Sequence, residues 1–152
     1  MAAGAVAKLI LQKRGVSIRA YTLQIGKIRC ESFDPDVIES NPLRACDSAA
    51  SEKMLKLVRK LKEEENSVGG IIECRVNGVE AGIGDPVFDK LDAELAHAVL
   101  SIGAVKGIEF GAGFAGTAMT GKEHNDEMDS GGFLTNNAGG IIGGISTGEE
   151  IL

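Results

Sequence analysis

The chain has 152 residues, 43% of them hydrophobic and 25% charged, enough for one domain with a real core and too few for two full ones. Five Phe, one Tyr and no Trp make that core aliphatic and argue against a platform of stacked aromatic rings for single-stranded nucleic acid. The net charge of −6 is uneven, since residues 1–106 hold 15 basic and 15 acidic side chains while 107–152 hold Lys122 alone against seven carboxylates, the reverse of the basic patch that a nucleic-acid backbone requires.

In chain order, Ala2 to Gln12 is predicted as a helix of small and aliphatic residues; nothing before Ala2 could cap it, so the helix is expected to start upstream. Its apolar run is interrupted by Lys8 and followed by Lys13 and Arg14, too short for a membrane span and without the flanks of an export signal. Val16 to Cys30 reads as a strand around a bulge, with Ile18, Ala20, Leu23 and Ile25 alternating against polar neighbours. A loop marked by Asp34-Pro35 and Asn41-Pro42 comes next.

Asp47 or Ser48 is placed to cap a helix running to about Glu65, with Ala50, Met54, Leu57, Val58 and Leu61 on one face and Lys53, Lys56, Lys60 and Glu64 on another. Gly69 to Asn77 is predicted as a strand, Asp85-Pro86 as the start of a helix carrying Leu91, Leu95, Val99 and Ile102, and Ala104 to Phe110 as another strand. From Gly103 onward lie 13 of the 21 glycines, so the last third should be turns, short strands and close-packed loops, and any active surface is expected there.

Cys30, Cys46 and Cys74 are odd in number, widely spaced and without neighbouring histidines, which indicates neither a disulfide framework nor a metal site and fits a reducing, cytoplasmic setting. Gly111-Ala-Gly-Phe-Ala-Gly116 matches a dinucleotide fingerprint by spacing alone, because an acidic run stands where a long amphipathic helix is needed. In Gly116 to Lys122 a phosphate-binding loop is nearly spelled, but Glu123 stands where a hydroxyl should meet magnesium. Glu123-His124-Asn125-Asp126-Glu127 reads first as a solvated acidic loop, with a metal or acid–base cluster as the alternative, and His97 reads as a surface histidine.

The most informative segment is Phe133-Leu-Thr-Asn-Asn-Ala-Gly-Gly-Ile-Ile-Gly-Gly-Ile-Ser-Thr-Gly148, where paired glycines are spaced by isoleucines. Its residues support two readings equally, a tight glycine hairpin that lets two backbones pack, or an anion or flavin cradle of backbone N–H groups and the Asn137 amide.

Its portion from Thr135 to Gly148, with Ala2-Ala-Gly-Ala-Val-Ala-Lys8, Ser67-Val-Gly-Gly-Ile-Ile-Glu-Cys74, Gly82-Ile-Gly-Asp-Pro-Val-Phe-Asp-Lys-Leu-Asp-Ala93, Ser101-Ile-Gly-Ala-Val-Lys-Gly107, Gly111-Ala-Gly-Phe114 and His124-Asn-Asp126, resembles the chorismate synthase family in the same order. The resemblance implies an α+β fold, an antiparallel sheet packed against helices and part of that family's β-α-β sandwich, here as one domain over residues 1–152. It implies a shikimate-pathway lyase that makes chorismate from 5-enolpyruvylshikimate 3-phosphate by 1,4-elimination of phosphate, with reduced FMN although no net redox change occurs. Asn137 and Ala138 match the family's flavin contacts, and neither His97 nor His124 lies in a matching catalytic motif.

The resemblance further implies that this chain corresponds to the central portion of a family member. The catalytic histidines, substrate-gripping arginines and remaining flavin loops are expected in flanks on either side, so the 152 residues alone are expected to be inactive. A cytoplasmic homo-oligomer, a tetramer in the family, is implied, with no nucleic-acid or membrane partner and no metal. The alternative is a binding or assembly module that keeps part of the fold without the chemistry; weak quenching of FMN fluorescence would separate the two.

Overall fold

A computed structural model of the protein describes residues 2–152. The element order is α1 (Ala2–Lys13), β1 (Ser17–Ile25), β2 (Ile28–Arg29), α2 (Ser48–Glu63), β3 (Gly70–Asn77), α3 (Leu91–Leu100), α4 (Gly121–His124), β4 (Met128–Asp129), β5 (Gly132–Phe133), β6 (Ile141–Ile142) and β7 (Ile145–Ser146). One three-stranded sheet has the order β2-β1-β3, and β4/β5 and β6/β7 form two further antiparallel pairs. The fold class is α+β, as the sequence predicts.

The chain divides into two compact units, one of Arg19–Cys74 and one that combines Arg75–Leu152 with the segment ending at Ile18. In the first unit, the amphipathic stripe of α2 is the cause of the core: Ala50 and Met54 are buried with Tyr21, Cys30, Ile38, Ala45 and Cys46, while Leu57, Val58 and Leu61 are half-buried. The helix starts where the sequence places it. Asp47 Oδ1 accepts the Ala50 N–H at 2.9 Å, and its Oδ2 accepts the N–H groups of Glu31 and Ser32 at 3.1 and 3.2 Å, so one carboxylate caps the helix and fastens the preceding loop. The buried Tyr21 hydroxyl donates to Glu73 Oε1.

Cys30 and Cys46 lie in the same core as free thiols. Burial, together with the neighbouring Cys30 thiol, pushes the Cys46 thiol up to about 11, which makes it unreactive at neutral pH.

Three sequence-based expectations change here. The single strand over Val16 to Cys30 is a hairpin, since Gly26 takes φ 57° and β1 turns back so that Gln24 pairs with Arg29 and Ile25 with Ile28. Asp85-Pro86 does not open α3: the Asp85 N–H is given to Asp89 O at 2.9 Å in a closed turn, and the helix begins at Leu91, whose N–H reaches Gly144 O at 2.7 Å. Ala104 to Phe110 forms no strand; Ala104 itself sits at φ 69°, and the segment finds no ladder partner among the described residues.

The N-terminal helix α1 has no buried residue and closes at Gly15, φ 81°, with Val16 N–H on Leu11 O at 3.0 Å, a glycine-terminated end of the Schellman type. Its expected upstream start lies outside the described residues. No helix among them is long and apolar enough to cross a membrane.

Candidate functional site

The glycine-rich segment folds as a turn and then a hairpin. Gly143 and Gly144 take φ 61° and 88° as the two-residue loop between β6 and β7, the conformation that favours glycine in tight hairpins. The preceding turn, 136–140, is held through Asn136: Gly140 N–H donates to Asn136 Oδ1 at 2.8 Å, and Asn136 Nδ2 donates to Glu150 O at 2.8 Å.

This turn lies directly against the loop at Gly111. Gly111 N–H donates to Leu152 O at 2.9 Å and Ala112 N–H to Asn137 O at 2.7 Å. A Cβ on Gly111 would fall on Asn137 O and 2.7 Å from Ala138 C, and a Cβ on Gly139 would stand 2.6 Å from Gly111 Cα. Gly111 therefore serves contact between two backbones. The chain then enters a 3-10 turn over Gly113–Ala118, unlike the long helix of a dinucleotide site.

The phosphate-loop likeness ends at Thr120, which caps the four-residue α4. Thr120 N–H donates to Glu123 Oε2 at 2.7 Å, and Glu123 N–H returns to Thr120 Oγ1 at 3.4 Å, a reciprocal capping box. The Thr120 N–H and hydroxyl hold the exposed Glu123 carboxyl below the ordinary carboxylate range.

Beyond α4 the acidic run differs from a solvated loop at one residue. Asp126 turns inward: its Oδ1 accepts the Thr135 hydroxyl and the Asn137 N–H, each at 2.6 Å, and its Oδ2 accepts the Ala138 N–H at 2.8 Å. Burial opposes its ionisation, yet these three bonds, aided by nearby His124, hold the carboxyl below its usual range. Sequence reasoning missed this role, because the partners lie nine to twelve residues away and no local pattern announces them.

Asn137, Ala138, Asp126, His124 and Asn125 line one cavity of about 450 Å³, together with Phe110, Gly113, Ile141 and Ile142. The structure thus puts the two sequence-predicted residues on one wall with His124 and Asp126, and leaves His97 exposed on α3. The backbone N–H groups expected for an anion cradle are already taken by Asp126, and Asn137 Nδ2 donates to Glu123 O at 3.3 Å. A larger cavity of about 620 Å³ in the first unit is lined by residues such as Ile25, Val58, Leu61, Val68 and Ile72; it gathers none of the predicted site residues.

The smaller cavity falls within the size usual for small-molecule sites and combines an apolar wall with a few convergent polar groups. Fold and cavity together define an α+β protein with a small cavity beside a glycine-rich turn and hairpin. The chorismate synthase family model matches residues 1–152. The chain is 51% identical over 152 residues to the chorismate synthase of Desulfosudis oleivorans, covering 100% of this chain and 43% of the relative. It is 50% identical over 160 residues to that of Methanosarcina acetivorans, covering 100% and 44%. A crystal structure of chorismate synthase superimposes with a TM-score of 0.87 at 28% identity, over 97% of this chain and 51% of that one.

The chain belongs to the chorismate synthase family. It spans about two fifths of the length of these curated relatives.

Proposed function

We propose that the protein to which these residues belong converts 5-enolpyruvylshikimate 3-phosphate to chorismate and phosphate by 1,4-elimination, a carbon–oxygen lyase reaction of aromatic amino acid biosynthesis, and that this chain supplies one wall of a reduced-FMN site. The observation that carries the reading is the meeting of Asn137 and Ala138 with Phe110, Ile141 and Ile142 on a single cavity. Reduced FMN, when bound, would lend electron density to the substrate as phosphate leaves; the protein's part is to bind, orient and exclude water.

The residues present fit the flat ring system of a flavin in part. Phe110, Ala138, Ile141 and Ile142 offer apolar surface, and among the described residues no hydrogen bond reaches Asn137 Oδ1 or the Ala138 carbonyl, which leaves two acceptors for ring N–H groups. They do not fit the anionic ends of cofactor and substrate, since residues 107–152 carry only Lys122 against seven carboxylates. Cations for a phosphate and carboxylates must be recruited from other segments. Asn137 and Ala138 accordingly act as flavin contacts and no residue of this chain is assigned the acid–base chemistry or a metal.

A cytoplasmic, homotetrameric enzyme without nucleic-acid or membrane partners completes the proposal. The 152 residues alone are expected to release phosphate from the substrate, with reduced FMN supplied, at least about a thousandfold more slowly than a full-length relative, since positioning and charge stabilisation each account for factors of that order. Turnover by the isolated chain approaching that of the relative would contradict the assignment of catalytic groups elsewhere.

A further inference from the structure

We propose that Asp126 is a positioning residue for this flavin wall, reserving both N–H groups of the Asn137–Ala138 turn so that the wall takes the uncharged ring of a flavin and turns its phosphate away. The inference rests on the flavin reading above.

The turn lies where backbone N–H groups would otherwise make a nest for an anion. In this chain the anion is built in. Oδ1 of Asp126 holds Thr135 and Asn137, and Oδ2 holds Ala138, so every donor of the turn that faces this carboxylate is spent on it. The carboxylate also sits on the cavity wall beside His124 and Asn125. With Glu123 and Glu127 in the same loop and Lys122 as the one lysine or arginine of residues 107–152, a phosphate approaching this wall meets carboxylates and finds the Asn137 and Ala138 N–H groups already taken.

Substitution of Asp126 by Asn separates positioning from simple structural support. Asparagine keeps one acceptor oxygen but turns the other into an NH2 group, so in either flip one turn N–H or the Thr135 hydroxyl faces a donor. It also removes the charge. A purely structural loss would weaken all flavins alike. Loss of a charged gate weakens ring binding while favouring a ligand that carries phosphate.

The test titrates flavin fluorescence with the 152-residue chain, using riboflavin and FMN, each with and without inorganic phosphate. The wild-type chain is expected to bind riboflavin and FMN within about threefold of each other with no competition from phosphate, and Asp126→Asn to weaken riboflavin about tenfold and FMN clearly less. Competition by inorganic phosphate in the wild-type chain, or equal losses for both flavins in Asp126→Asn, overturns the proposal while the flavin site stands. Binding of neither flavin by the wild-type chain overturns the flavin reading itself and the proposal with it.

Discussion

Gly111→Ala is expected to destabilise the chain by about 3–5 kcal/mol, a loss at the upper end for a single added methyl group. Two effects add. Gly111 sits at φ 56°, where an L side chain is strained. The new Cβ would also strike Asn137 O and lie 2.7 Å from Ala138 C, and both are backbone atoms that no rotamer change can move aside. The turn could yield only by breaking the bonds from Ala112 N–H to Asn137 O and from Gly111 N–H to Leu152 O, which are the bonds that hold the proposed flavin wall in place. Gly107→Ala, with nothing within 4 Å of its Cβ, should fall within about 0.5 kcal/mol of the wild-type chain. Urea unfolding of both variants checks this.

Asp47→Ala should cost about 2–3 kcal/mol, again by urea unfolding, because an N-cap alone is worth about 1 kcal/mol and Asp47 makes two further charge-assisted bonds, to the N–H groups of Glu31 and Ser32. The Ala50 N–H is foremost among the donors that hold the Asp47 carboxyl at about 2 against an ordinary 3.8. A carboxyl depressed on folding is one that the unfolded chain protonates first. Its contribution is therefore full above about pH 3.8 and is lost as pH falls through about 2. The stability gap between wild type and Asp47→Ala should be constant from neutral pH to about 4 and shrink below it.

The elements legible in the sequence are those whose cause is local. Asp47 followed by an apolar stripe at helical spacing names α2 and its buried face, because cap and amphipathicity are both written within one turn of the residues they govern. Gly143-Gly144 admits its hairpin, one of the two readings that the segment leaves open. The errors share the opposite origin. Asp85-Pro86 has the chemistry of a helix start, but the Asp85 N–H is claimed by Asp89 and the true first turn is set by Gly144 O, a group far along the chain. Ala104 to Phe110 reads as a strand, yet a strand needs a partner that its own residues cannot supply.

At the site the same division holds. The Asn137-Ala138 step is singled out by its likeness to a family segment, and both residues line the cavity. The inward turn of Asp126 is not, because an acidic run looks the same whether its middle residue meets water or a backbone turn. Gly111 and Gly139 show a further case: the spacing that begins at Gly111 imitates a nucleotide fingerprint, and only the contact between the two loops shows that these glycines are needed for each other.

Whether Asn137 and Ala138 form a flavin wall is tested most directly by backbone amide NMR of the 152-residue chain during titration with FMN. Resonances of Phe110, Asn137, Ala138 and Ile141 are predicted to shift together and saturate, with Val58, Val68 and Ile72 of the larger cavity unmoved. Saturable shifts at Val58, Val68 and Ile72, or an unchanged Asn137–Ala138 pair at FMN saturation, would contradict it.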